Sequence, residues 1–147
     1  MEHHPFTWVS VIPGLNLLPG HIATSLLVCA ALIIFAYLAN RQLANAEDLA
    51  VPDDSLTLRN FAELLVQGVS DMAEGVLGDQ AHKYIHLYGS FFLFILAANL
   101  SGLLPGFSPP TSNFNVTLAL GVLSFVAYNF YAFQEQGLAY LKHFVGP

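Results

Sequence analysis

Three long apolar runs and one amphipathic stretch set the pattern of this chain. The apolar runs extend from about Ile22 to Ala39, from about Tyr84 to Leu104 and from about Asn115 to Phe133. A helix rises about 1.5 Å per residue, so roughly 20 residues reach across a hydrocarbon core of about 30 Å. Each run is predicted to be a membrane-crossing helix. Between the first and second runs, Leu58, Phe61, Leu65, Val69, Met72 and Val76 recur every three or four residues. Asn60, Glu63, Gln67, Asp71 and Glu74 recur in the same way on another face. That pattern predicts an amphipathic helix over about 56–77 that lies at the membrane boundary and does not cross it. Its polar face carries acids, which an anionic membrane surface does not attract. A plain surface helix and a subunit contact both fit it. The predicted fold is an all-α membrane protein: three transmembrane helices plus one amphipathic membrane-surface helix, in a single membrane domain over 1–147.

The breaks are as informative as the runs. Pro13, Gly14, Pro19 and Gly20 punctuate a loop before the first span. A polar connector follows Asn40 and Arg41 and contains Glu47, Asp48, Pro52, Asp53 and Asp54. The stretch from Pro105 to Leu118 joins the last two spans and contains no charged residue. Pro105, Pro109 and Pro110 lack backbone donors and oppose helix, while Gly106 and Ser108 suit a turn. Ser112 or Asn113 can then cap a new helix by accepting from an orphan N–H at its start. The tail from Gln134 to Pro147, with Leu138, Leu141, Phe144 and Val145, fits a short interfacial helix.

Composition agrees with a membrane class. The chain has 147 residues, 55% hydrophobic and 10% charged, with a mean hydropathy of +0.58. Soluble domains average about 25% charged residues. The net charge of −6 and the four scattered basic residues argue against nucleic-acid binding. The N-terminus has no basic leader, so an uncleaved anchor is expected rather than a signal peptide. Arg41, Arg59 and Lys83 lie between the first two spans and Lys142 follows the third. The N-terminal segment and the 105–114 turn hold none. The positive-inside rule then puts residues 40–83 and the C-terminus in the cytoplasm, with the N-terminus and the turn outside.

Candidate chemistry is sparse. His82 and His86 lie four apart at the start of the second span and could relay protons or ligate a metal with an acid such as Asp79. The same histidines also fit a headgroup position. His3 and His4 have no third ligand near them and read as a solvated tail. Cys29 reads as a small buried hydrophobe. Trp8 fits an interfacial anchor. Asn99 is expected to hydrogen-bond a neighbouring helix, and Ala98, Gly102 and Gly106, four apart, allow close helix approach. Asn115-Val116-Thr117 matches a glycosylation sequon but lies close to the membrane.

These residues carry a resemblance. Pro-Pro-Thr-Ser-Asn-Phe-Asn-Val-Thr-Leu-Ala-Leu at 109–120 is similar to the turn and following helix start of subunit a of the F-type ATP synthase. The run from Phe94 to Gly106 resembles the preceding helix end, and Gly137-Leu138 with Tyr140 to Pro147 resembles the stretch beyond the next helix. The opening Glu2-His3-His4-Pro5-Phe6-Thr7-Trp8 looks like some bacterial members, which favours a bacterial inner membrane. The resemblance implies a non-catalytic stator subunit, without a cofactor or metal of its own. It stands beside a ring of c subunits, contacts the peripheral stalk b subunits, and forms half-channels for protons. It also implies that Asn113, Asn115 and Thr117 line the outer half-channel. Some members carry Asp where this chain has Asn113, so Asn113 can order water but cannot relay a proton by titrating. Helix capping remains an equal reading for Asn113. The family continues past this point with two helices that face the ring, one carrying an essential arginine. The 147 residues therefore correspond to its N-terminal part. Protons are the family's usual coupling ion. A small membrane scaffold or assembly subunit, with no transport path of its own, is the alternative.

Overall fold

A computed structural model describes residues 7–44 and 57–141. The described residues form four long helices: α1 (Gly20–Ala44), α2 (Leu58–Leu77), α3 (Ala81–Ser101) and α4 (Phe114–Gln136). Short 3-10 turns lie at Trp8–Val11, Leu15–Leu17, Gly78–Gln80, Pro110–Ser112 and Gly137–Leu141. There is no strand among the described residues. Three helical segments are long and apolar enough to cross a membrane, namely Gly20–Ala44, Ala81–Ser101 and Phe114–Tyr140. The amphipathic α2 is not one of them. The all-α class with three membrane-length helices is thus the observed one. His3, His4, most of the acidic connector and Lys142 lie outside the described residues. The chain divides into two compact units, Met1–Pro110 and Thr111–Pro147.

In the first unit, α1 starts where Pro19 ends the loop: the Pro19 carbonyl accepts from the amides of Ile22 (2.9 Å) and Ala23 (3.1 Å). The Thr24 and Ser25 hydroxyls donate back to the carbonyls of Gly20 (2.8 Å) and His21 (2.7 Å). Satisfied within their own helix, they add little cost in hydrocarbon. Cys29, expected to be buried, is exposed along α1. The isolated chain leaves bare the helix surface that a bilayer would cover, so a residue apolar enough for the span need not pack inside.

α2 begins at Thr57, whose side chain accepts from the Asn60 amide at 3.2 Å. It ends at Gly78, where φ is +57° and the amide donates to Glu74 O. From there the chain turns back as α3. Close contact between the two is possible at Gly89, where an added Cβ would lie 3.8 Å from Val69 Cγ1. α2 also meets the end of α1. Phe35 and Phe61 pack edge to face with centroids 5.9 Å apart, and Gln42 Oε1 accepts from the Arg59 amide at 3.1 Å. Arg59, one of the basic residues between the first two spans, is more than a surface charge. It is 3% exposed, and its Nε donates to Glu63 Oε1 at 2.8 Å. A buried guanidinium requires such a partner, because desolvation without one costs several kcal/mol.

α3 unwinds at Gly102, whose amide donates to Asn99 O at 3.1 Å. The chain then folds back so that Pro109 packs on Gly102. A Cβ at Gly102 would lie 2.9 Å from Pro109 Cγ and 3.0 Å from its Cδ. Pro110 is fully buried. In the second unit, α4 stops at Gly137, with φ +55° and its amide bonded to Phe133 O. The tail folds against the helix through Tyr140, whose hydroxyl donates to Asn129 Oδ1 at 2.9 Å. Large apolar side chains stand exposed along α4, Phe114, Phe125 and Phe130 among them. A solvated helix does not carry such a surface, whereas a membrane helix must.

The Gly102–Pro109 contact has a direct test. Gly102→Ala forces a methyl into the proline ring and is expected to cost about 1–3 kcal/mol. Gly121→Ala, where an added Cβ meets nothing within 4 Å, is expected to be neutral or slightly stabilising. Thermal unfolding of the two variants in detergent checks the contrast.

Candidate functional site

The uncharged polar residues after Pro110 converge on the start of α4. Asn113 is extended (φ −91°, ψ 128°), and its Oδ1 accepts from the Asn115 amide at 3.0 Å. Its backbone carbonyl accepts from the amides of Val116 (3.1 Å) and Thr117 (3.2 Å). Asn113 is therefore the helix cap, and its side-chain oxygen is engaged there. The Thr117 hydroxyl donates to Phe114 O at 3.1 Å and lies 3.4 Å from Asn113 O. Asn115 is exposed and makes no side-chain hydrogen bond to a described residue. Its amide stands on the helix surface within the first turn, beside the orphan N–H groups that every helix start presents. The side chains gathered there are neutral hydrogen-bond donors and acceptors, with no charge among them.

The two helix-packing candidates lie in the first unit. Gly102 makes room for Pro109 in the turn. Asn99 is exposed on α3, and its carbonyl holds the Gly102 amide. His82 and His86 are exposed on the first turns of α3. His82 Nδ1 lies 3.6 Å from Glu74 Oε1, across the α2–α3 hairpin. No third His, Cys, Asp or Glu among the described residues joins them in a metal-binding group. Lys83 Nζ sits 5.4 Å from the Tyr84 ring centre.

Trp8 plays a larger part than an interfacial anchor. Its indole Nε1 donates to Pro105 O at 2.9 Å, and its amide donates to Gly106 O at 3.0 Å. No local pattern announces a bond between residues 97 apart. The paired glycine and proline at 105–106, with an aromatic residue elsewhere, were the only signal present. The Tyr140–Asn129 bond was missed for the same reason.

A family pattern described as ATP synthase A chain matches residues 22–147. The chain belongs to the ATP synthase A chain family. Among the family's curated members it is 38% identical over 143 residues to ATP synthase subunit a of Bdellovibrio bacteriovorus, covering 97% of this chain and 62% of that protein. It is 37% identical to the subunit a of Sorangium cellulosum and 36% identical to that of Geobacter sulfurreducens. Each match covers 86% of this chain, and 50% and 52% of the respective relatives. The chain thus spans between half and 62% of the length of these A chain relatives. The matched A chain region takes in all four long helices except the first two residues of α1, and the whole turn from Pro105 to Leu118.

The cap makes a separable prediction. Asn113→Ala is expected to destabilise the start of α4 by about 1 kcal/mol, with Asn113→Asp and Asn113→Ser retaining most of it. Hydrogen exchange at the Asn115 to Thr117 amides reads the difference. Exchange should quicken about fivefold in the alanine variant alone.

Proposed function

We propose that this chain supplies the stator side of proton translocation in a bacterial F-type ATP synthase, as part of subunit a. The observation that carries the reading is the joint one of family membership over residues 22–147 and an uncharged helix start, with Asn115 and Thr117 exposed, that follows the turn joining two membrane-length helices. In this reading Asn113, Asn115 and Thr117 line the outer half-channel. Asn115 offers its free amide to water. Asn113 caps the helix with Oδ1 and keeps its amide hydrogens for the same water chain. Thr117 keeps its hydroxyl on the helix and leaves its oxygen to accept. A formal charge at that depth would cost several kcal/mol or hold the proton in place, so neutral groups suit a path that must release it.

The chain does no bond-making chemistry of its own in this reading. Protons pass to a carboxyl group on a ring of c subunits, and the b subunits of the peripheral stalk hold the stator still. The amphipathic α2, with acids on its polar face and Phe61, Leu64 and Met72 exposed, fits a surface covered by a partner subunit. The basic residues support an inner-membrane arrangement with the N-terminus and the 105–114 turn outside and residues 40–83 cytoplasmic. Gly102 and Asn99 serve helix packing at the outer end of α3.

The test uses the assembled complex in inverted membrane vesicles. Asn115→Leu keeps the side-chain size and removes both hydrogen-bonding groups. It should lower proton-driven ATP synthesis about tenfold, with complex assembly unchanged. Synthesis at the unaltered rate per assembled complex would overturn the path-lining role.

A further inference from the structure

The backbone leaves the helix at the end of α3 with carbonyls that no helical amide can reach. Pro105 and Gly106 carry two of them. Both are taken by one residue of the N-terminal segment: Trp8 Nε1 donates to Pro105 O at 2.9 Å and Trp8 N donates to Gly106 O at 3.0 Å. The fit is keyed from both sides. Gly106 has φ +81°, and a Cβ there would lie 2.7 Å from Trp8 Nε1 and 2.8 Å from its Cδ1. Only a glycine lets the indole lie so close at that backbone angle. Trp8 itself is half-exposed, and the N-terminal segment makes a local turn around it in sequence. The Ser10 amide and hydroxyl both donate to Thr7 O, at 3.0 and 2.6 Å, and Val9 is 3% exposed. Beyond the latch, Pro109 packs on Gly102 and Pro110 is fully buried. The turn is therefore held at Trp8 and again at Gly102, immediately before the chain continues to Asn113.

We propose that Trp8 is a positioning residue for the proton path. It is a two-bond latch on the Pro105–Pro110 turn, which precedes the Asn113–Thr117 segment in the chain. The proposal rests on the path-lining reading above for its functional half and on the hydrogen bonds alone for its structural half. A ring at residue 8 without its N–H loses the Pro105 bond and keeps the packing. A methyl at residue 106 displaces the indole and leaves the tryptophan intact. The two changes reach one latch by different routes, so their effects should not add.

The experiment uses the assembled complex in membrane vesicles, with a spin label on Ser108→Cys, an exposed turn position, and the other cysteines replaced. Trp8→Phe and Gly106→Ala are each expected to raise the mobile fraction of the label about fivefold, the factor that one neutral hydrogen bond is worth. The double variant should resemble the singles. A second label, at Leu138→Cys, an exposed position after α4, should be unchanged. Proton-driven ATP synthesis per assembled complex should fall in step with the mobile fraction. An unchanged Ser108 spectrum in both variants overturns the latch, whatever the rate does. A mobilised turn with an undiminished rate overturns the positioning role, provided Asn115→Leu has lowered the rate. If Asn115→Leu has no effect, the path-lining reading fails and the positioning role falls with it. The spectra then still decide the latch. Should Trp8→Phe fail to assemble, Gly106→Ala tests the same contact from the other side.

Discussion

In hydrocarbon every backbone N–H and C=O must find its partner within the chain, because water is not there to supply one. That constraint explains why the described residues are long helices and why the departures from helix are so tightly managed. Each departure uses a residue suited to it: Pro19 before α1, Gly78 between α2 and α3, Gly102 and Gly106 after α3, Gly137 after α4. Several of the groups freed at these points are recovered. Thr57 and Asn113 cap the helices that follow them. Trp8 reaches from the N-terminal segment to satisfy the carbonyls of Pro105 and Gly106.

The same constraint sorts the polar side chains. The hydroxyls of Thr24, Ser25, Ser90 and Ser101 bond to carbonyls of their own helices. They are polar in composition and nearly apolar in effect. Arg59 is buried beside Glu63 at the α1–α2 junction, where a guanidinium without a partner would be costly. Asn115 differs. Its side-chain amide is exposed at a helix start and is bonded to no described residue. The proposed path takes its chemistry from that contrast. Several polar groups in the spans are turned inward on their own helices, and the side chain of Asn115 faces outward at the start of α4.

Much of this was legible along the chain because it is local. Apolar runs marked α1, α3 and α4, and the three-and-four stepping from Leu58 to Val76 marked α2. Pro105, Pro109 and Pro110 marked the break, and the choice of Ser112 or Asn113 as cap resolved to Asn113. The helices extend beyond the apolar windows, as at Gly20–Ala44, because a helix does not stop where its hydrocarbon does. The turn motif at 109–120 carried enough specific residues to indicate the family, and the match over 22–147 agrees. What stayed hidden depends on distant partners. Trp8 on Gly106, Arg59 beneath the end of α1, and Tyr140 on Asn129 leave no period in the sequence. Cys29 was misplaced for another reason: an apolar neighbourhood in sequence signals lipid as readily as core.

The central claim is that the start of α4 is a hydrated surface reached from outside the membrane. Labelling of Asn115→Cys by a membrane-impermeant thiol reagent, in the assembled complex, tests it most directly. Cys29 would be replaced, and labelling from the outer face compared with labelling from the cytoplasmic face. Rapid modification from the outer face alone is the predicted result, with Ser70→Cys on α2 modified only from the cytoplasmic face. No modification of Asn115→Cys from either face, or modification from the cytoplasmic face alone, would contradict it.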